Sequence, residues 1–187
     1  TVLINNFTFH PYARLDLSAG KQISLIIHEK DFPAQSLFSS LPEGLFSTLY
    51  GIQTKGYLSF SLDFKVDLAN PDSLLFVSNL EVKYFSIARY GKVNYAMLND
   101  TFVHTVFEDG RPVRDILVGP PNPDFTPLSQ ISPYLKNSVL CSEDGIFFYH
   151  MGFIADAFRQ SMITNIKEKR FARGGSTITM QLVKNVY

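Results

Sequence analysis

The 187-residue chain has no tryptophan and a single cysteine, Cys141. One thiol forms no internal disulfide and excludes a zinc site built from cysteines. It suits an oxidising or a reducing compartment equally. No stretch approaches the roughly 18 consecutive apolar residues of a membrane span, and no basic-then-apolar leader opens the chain. There is no excess of either charge, since 17 Lys/Arg balance 17 Asp/Glu. That balance argues against a nucleic-acid partner. His10, His28, His104 and His150 are scattered without ligand spacing, so no protein-bound metal is expected. What is present is apolar bulk: 45% hydrophobic residues, among them 17 Phe and 9 Tyr, against 18% charged. Such a chain is not disordered and can bury a core in one generous domain or two small ones. It opens at Thr1 directly into Val2-Leu3-Ile4 and ends at Tyr187 inside an amphipathic pattern. It therefore reads as a piece of a longer protein, with any membrane anchor outside it.

The expected fold class is α+β. Leu58, Phe60, Leu62, Phe64, Val66 and Leu68 alternate with Ser59, Ser61, Asp63, Lys65 and Asp67. A period of two over that length predicts an antiparallel strand with one dry and one wet face. Ala13-Leu15-Leu17, Lys21 to Ile27 and Leu74 to Ile87 are further strands, the last broken near Ser78-Asn79. Asn70-Pro71-Asp72-Ser73 is a turn. A short helix is expected over Ala34 to Leu41, with Asp31 placed to cap it and Pro33 in its first turn. Gly119-Pro120-Pro121-Asn122-Pro123 and Pro127 continue neither helix nor sheet, so the β-rich domain spans 1–127 and closes on a proline-rich linker.

Beyond it, over 128–187, the period becomes 3.6. Ser132-Pro133 starts a helix running through Tyr134 to Ser142. A second covers Phe153 to Phe171, with Ile154, Phe158, Met162 and Ile166 along one side, and a third begins after Gly174-Gly175, capped by Ser176 or Thr177. Residues 133–187 carry seven Lys/Arg against four Asp/Glu, a net of +3 that leaves −3 for the rest. Lys167, Lys169, Arg170 and Arg173 fit either an anionic partner or a solvated helix end whose cations complement the dipole.

Two stretches could carry chemistry. In the first, Glu143-Asp144 stands beside Phe147, Phe148 and Tyr149, whose apolar rings could raise a carboxyl pKa toward that of a general acid or base. An acidic turn is the alternative, and Glu108-Asp109-Gly110 repeats the triplet among turn residues, where it reads as a β-turn. In the second, Arg173-Gly174-Gly175-Ser176-Thr177 opens a helix on which Thr177, Gln181 and Lys184 recur at i, i+4 and i+7. Glycines and a helix N-terminus suit a phosphate, although a capped surface helix has the same pattern. The spacing is not that of a P-loop.

Taken together, Glu143-Asp144-x-x-Phe147-x-x-His150-x-Gly152 and Arg173-Gly174-Gly175-Ser176-Thr177-Ile178-Thr179-x-Gln181-Leu182-x-Lys184-Asn185 resemble the first two motifs of the family 51 glycosyltransferases. These are the peptidoglycan transglycosylases that stand alone or form the N-terminal module of bifunctional penicillin-binding proteins. The resemblance covers about 128–187. It implies the opening, helical part of a lysozyme-like lobe that polymerises lipid II into glycan strands at the outer face of the bacterial inner membrane. By position Glu143 matches the general base, while Asp144, Phe147 and His150 match residues that support the site. Arg173, Gly174, Gly175, Ser176, Thr177, Gln181 and Lys184 match the donor side, near the pyrophosphate and sugars. The implied partners are lipid II, the growing glycan and the membrane surface. A divalent cation on the substrate pyrophosphate is the one cofactor the resemblance permits.

Two residues depart from the pattern: Met180, where Gln is usual, and Ile154, where an Asp normally starts the long helix. The family's later motifs, with a second essential Glu, would lie beyond Tyr187, so the piece alone is expected to be inactive. The β-rich part, with Leu41-Pro42 and Gly56-x-Leu58-x-Phe60-x-Leu62, resembles the repeats of AsmA-type envelope proteins. It is read as binding or positioning something, other cell-wall proteins included. The rival to an enzyme is a non-catalytic envelope protein that binds glycan or a lipid-linked precursor.

Overall fold

The alternation at 57–68 becomes the third strand of a four-stranded antiparallel sheet in the computed structural model, which describes residues 1–18, 21–42, 44, 47–93 and 95–186. The sheet runs β3 (Tyr12–Asp16), β4 (Gln22–Pro33), β5 (Gln53–Asp67) and β6 (Leu75–Arg89) in chain order, after a small hairpin of β1 (Val2–Ile4) and β2 (Phe7–Phe9). β-branched and aromatic residues at period two favour this pleated, half-covered surface. On the dry face Leu58 and Val66 are buried. On the wet face His28 Nε2 lies 3.0 Å from Asp63 Oδ2.

Three local expectations are corrected. The strand at Leu74 to Ile87 is not broken at Ser78-Asn79, which pair in register with Leu62 and Ser61. The irregularity lies further on, at Lys55/Tyr57 opposite Tyr84, which has φ 54°. Gly56 faces it at φ 88°, and a Cβ there would sit 2.4 Å from the Tyr84 carbonyl oxygen. Only glycine tolerates that approach. Second, Asp31 does not cap the helix α1 (Ala34–Phe38). It sits in a bulge of β4 at φ 48°, donating its N–H to Ser59 Oγ at 3.0 Å, and Pro33 occupies the cap position. Third, the long helix is shorter than its pattern. α3 (Ala155–Glu168) stops where Lys169 turns left-handed at φ 50°.

The chain forms two compact units. The first comprises residues 1–93 and 153–176, so it joins the sheet with α3. Its core is Val66, Leu74 and Ile163, flanked by Ile23, Phe64, Phe76, Met162 and Ile166. The rings of Phe76 and Phe158 lie 5.1 Å apart.

The second unit comprises residues 94–152 and 177–187. It holds the hairpin β7 (Phe102–Glu108) and β8 (Arg111–Val118), then α2 (Pro133–Glu143), a 3-10 turn at Phe147–Tyr149 and α4 (Ile178–Val186). Asp109 and Gly110 both have positive φ, the Asp-Gly hairpin turn whose twist matches its strands. The prolines between hairpin and α2 sit in successive turns, with Asn122 N–H bonded to Gly119 O and Phe125 N–H to Asn122 O. Pro133 starts α2 with its fixed φ, after Ser132.

Candidate active site

In the second unit the first motif meets the helical part of the second, from Thr177 onward. Glu143 is the last residue of α2, and Asp144 follows at φ −160°, which turns the chain out of the helix. Neighbouring side chains in an extended link point to opposite sides. Asp144 points inward, with its side chain fully buried, while Glu143 stays exposed.

The buried carboxylate is completely used. Its oxygens lie 3.0 and 3.1 Å from His150 Nε2, and Oδ2 also accepts the Ile178 N–H at 3.1 Å. His150 Nδ1 accepts the Gly152 N–H at 3.0 Å, so Nδ1 keeps its lone pair and Nε2 carries the proton toward Asp144. The ring stands edge-on to Phe147, centroids 6.3 Å apart. Negative charge at the first amide of α4 is well placed against the helix dipole.

Thr177 completes the junction. It is 1% exposed, donates its hydroxyl to Gly152 O at 2.7 Å and accepts the Met180 N–H at 3.1 Å. It is the cap of α4. The expected line of Thr177, Gln181 and Lys184 on one open face is therefore corrected: the Thr177 hydroxyl is turned inward. Two amides of the first turn are likewise spent on Asp144 and Thr177. One turn along, Gln181 donates from Nε2 to Glu143 Oε2 at 3.0 Å, across 38 positions of sequence. Lys184, exposed, and Asn185 line a cavity of about 350 Å³ with His104, Phe102 and Phe107 of the hairpin.

The aromatic cover expected over Glu143 is absent. Phe148 and Tyr149 are 78% and 87% exposed and Met151 is fully exposed, so these side chains point to solvent.

Arg173, Gly174, Gly175 and Ser176 belong to the first unit, where they follow α3. Asn165 Oδ1 accepts the N–H groups of Ala172 and Arg173, and Ser161 Oγ and Asn165 Nδ2 both donate to Arg173 O. Gly175 lies so close to α3 that a Cβ would meet Phe158 Cα at 3.1 Å. Gly174 has no such neighbour. Lys167 pairs with Asp72 at 2.6 Å and Arg170 with Glu168 at 3.6 Å, so part of the basic cluster is matched within the fold. No local signal marks Ser161 and Asn165, since α3 carries several other polar residues. Among the described residues no three His, Cys, Asp or Glu side chains converge as a metal site.

A solvent-reachable carboxylate, tethered by an amide and backed by a buried Asp–His pair, defines a candidate acid–base site. Comparison with known proteins adds a likeness. The family model described as Transglycosylase matches residues 109–187, the stretch that holds both motifs. The "Biosynthetic peptidoglycan transglycosylase" of Nitrosospira multiformis is 44% identical over 63 residues, 34% of this chain and 27% of that protein. Those of Alcanivorax borkumensis and Cupriavidus pinatubonensis are 45% and 46% identical over 64 and 63 residues, covering 34% of this chain and 26% and 25% of theirs. The chain thus spans about a quarter of the length of these relatives. No solved structure matches it.

Proposed function

We propose that this segment is the opening part of a peptidoglycan glycosyltransferase that polymerises lipid II, with Glu143 as general base. The observation that carries the reading is the Gln181–Glu143 hydrogen bond, which joins the residue matching the base to the helix matching the donor side. In the reaction the Glu143 carboxylate takes the proton of the acceptor sugar's 4-hydroxyl. The freed oxygen pair attacks the donor's anomeric carbon, and the bond to the lipid pyrophosphate breaks. The Gln181 amide fixes one carboxylate oxygen and leaves the group exposed to an incoming hydroxyl. Asp144, His150 and Phe147 hold the junction beneath it. Lys184 supplies positive charge for the diphosphate, and Arg173, Gly174, Gly175 and Ser176 lead the chain to α4. A divalent cation would ride on the substrate's pyrophosphate rather than in a protein cage.

The lobe we assign is lysozyme-like, and its place is the outer face of the bacterial inner membrane. Exposed Phe148, Tyr149 and Met151 support contact with a membrane surface. No helix among the described residues is long and apolar enough to cross one. Because the match is partial, the activity is assigned to a protein that carries this segment, not to these 187 residues alone.

The test is glycan polymerisation from lipid II by the full-length protein. Glu143→Gln should lower kcat by about 10²–10⁴-fold with the fold intact. The same change at Glu108, in the exposed hairpin turn, should leave it within about twofold. Full activity in the Glu143 variant would mean another base or another reaction. Lipid II binding by a parent that never polymerises would mean a non-catalytic binder.

A further inference from the structure

We propose that the N-terminal sheet is the platform on which the Ala172–Gly175 arm of the second motif is held, with Arg159 of α3 as the positioning residue that ties it there. The proposal rests on the function above for its consequence in catalysis, but its structural basis stands separately. α3 belongs by sequence to the segment matched as transglycosylase, yet it packs on strands that precede that segment. Arg159 Nε donates to Leu74 O at 2.6 Å and Nη2 to Asp72 O at 3.2 Å, while Lys167 Nζ meets the Asp72 carboxylate at 2.6 Å. Leu74 is 1% exposed, so its carbonyl is bound to a cation in a nearly dry setting, where such bonds are strong. Ile163 fills the core between Val66 and Leu74.

The other side of α3 carries a second set of contacts. Ser161 and Asn165 hold the backbone of Ala172 and Arg173, and Gly175 lies against Ala157, Phe158 and Ser161. The chain is thus fixed on α3 to within two residues of Thr177, the cap of α4. One helix is clamped to the sheet by one face and holds the arm that leads into the second motif by the other. Tightness at Arg159 is accordingly expected to reach Ala172 and Arg173 through a contiguous set of packed and hydrogen-bonded groups. Anything that binds or strains the sheet near Asp72 then acts on this arm of the second motif.

The experiment is amide hydrogen exchange on the full chain, comparing Arg159→Met and the milder Arg159→Lys with the parent. Leu58→Ala, buried in the sheet away from α3, serves as a control matched for global stability by denaturant midpoint. The readout is the Ala172 and Arg173 amides, which Asn165 of α3 holds. Arg159→Met should speed their exchange about tenfold beyond the control, with Arg159→Lys in between. Faster exchange in α3 with Ala172 and Arg173 unchanged would overturn the proposal, as would equal acceleration in the Leu58→Ala control. If the parent fails to polymerise lipid II, the proposed function falls while the exchange result still decides this inference. If it does polymerise, Arg159→Met should lower kcat with KM little changed, since Arg159 is not placed in the substrate site.

Discussion

The Asp144 carboxylate accepts the Ile178 N–H, so the residue beside Glu143 caps a helix that begins 34 positions later. A buried carboxylate with two donors, the His150 ring and the Ile178 amide, and no solvent is stabilising only while both partners remain. Asp144→Asn puts an amide NH₂ where at least one donor now points. We expect a loss of about 1–3 kcal/mol in chemical denaturation. Asp144→Ala should lose about 3–5 kcal/mol, as for breaking a buried pair.

The Gln181–Glu143 bond predicts an effect confined to turnover. Gln181 is half-buried, and its side chain donates to an exposed carboxylate. Gln181→Leu removes that tether, and the carboxylate then samples other rotamers. Stability should change by less than about 0.5 kcal/mol, while kcat for glycan polymerisation falls about tenfold, the equivalent of one ordinary hydrogen bond. A fall as large as that of Glu143→Gln would give Gln181 a role beyond holding the base.

Thr177 is expected to matter for the fold through its hydroxyl. Thr177→Val keeps the shape but removes the acceptor of the Met180 N–H and the donor to Gly152 O in a site that is 1% exposed. Loss of a cap is typically about 1–2 kcal/mol. Thr177→Ser retains both bonds and should recover most of it in the same denaturation experiment.

How far the sequence reaches is visible in these residues. The period-two run at 57–68 reported its strand correctly because one face of β5 is covered and the other wet. α3 was overdrawn because no Gly or Pro follows it, and only the backbone shows that Lys169 turns left-handed. The i, i+4, i+7 count placed Thr177 beside Gln181, but a periodicity cannot distinguish a helix face from the cap residue one step before it. Adjacent acids look alike in a sequence, and which one is buried is decided by the chain direction after α2. Glu143 and Gln181 are related by no local pattern, so only the resemblance connected them. No local pattern marks Arg159, because the carbonyls it binds lie 85 and 87 positions away.

Ile154 offers a test in which the expected change is a gain. It occupies the cap position of α3, with φ −121° and ψ 101°, and makes no side-chain hydrogen bond to the first turn. This is the position where related motifs carry an acid. An Asp side chain there would accept an amide of the first turn and face the positive end of the helix dipole. Ile154 is itself half-buried, so the exchange also gives up some apolar contact. Ile154→Ala separates the two effects, since it loses the contact without gaining the cap. We expect Ile154→Asp to be more stable than Ile154→Ala by about 1 kcal/mol in denaturant unfolding, and α3 amides to exchange more slowly in the Asp variant. Equal stability of the two would mean that the first turn of α3 is held by the packing of Phe158 on Phe76 and has no use for a cap.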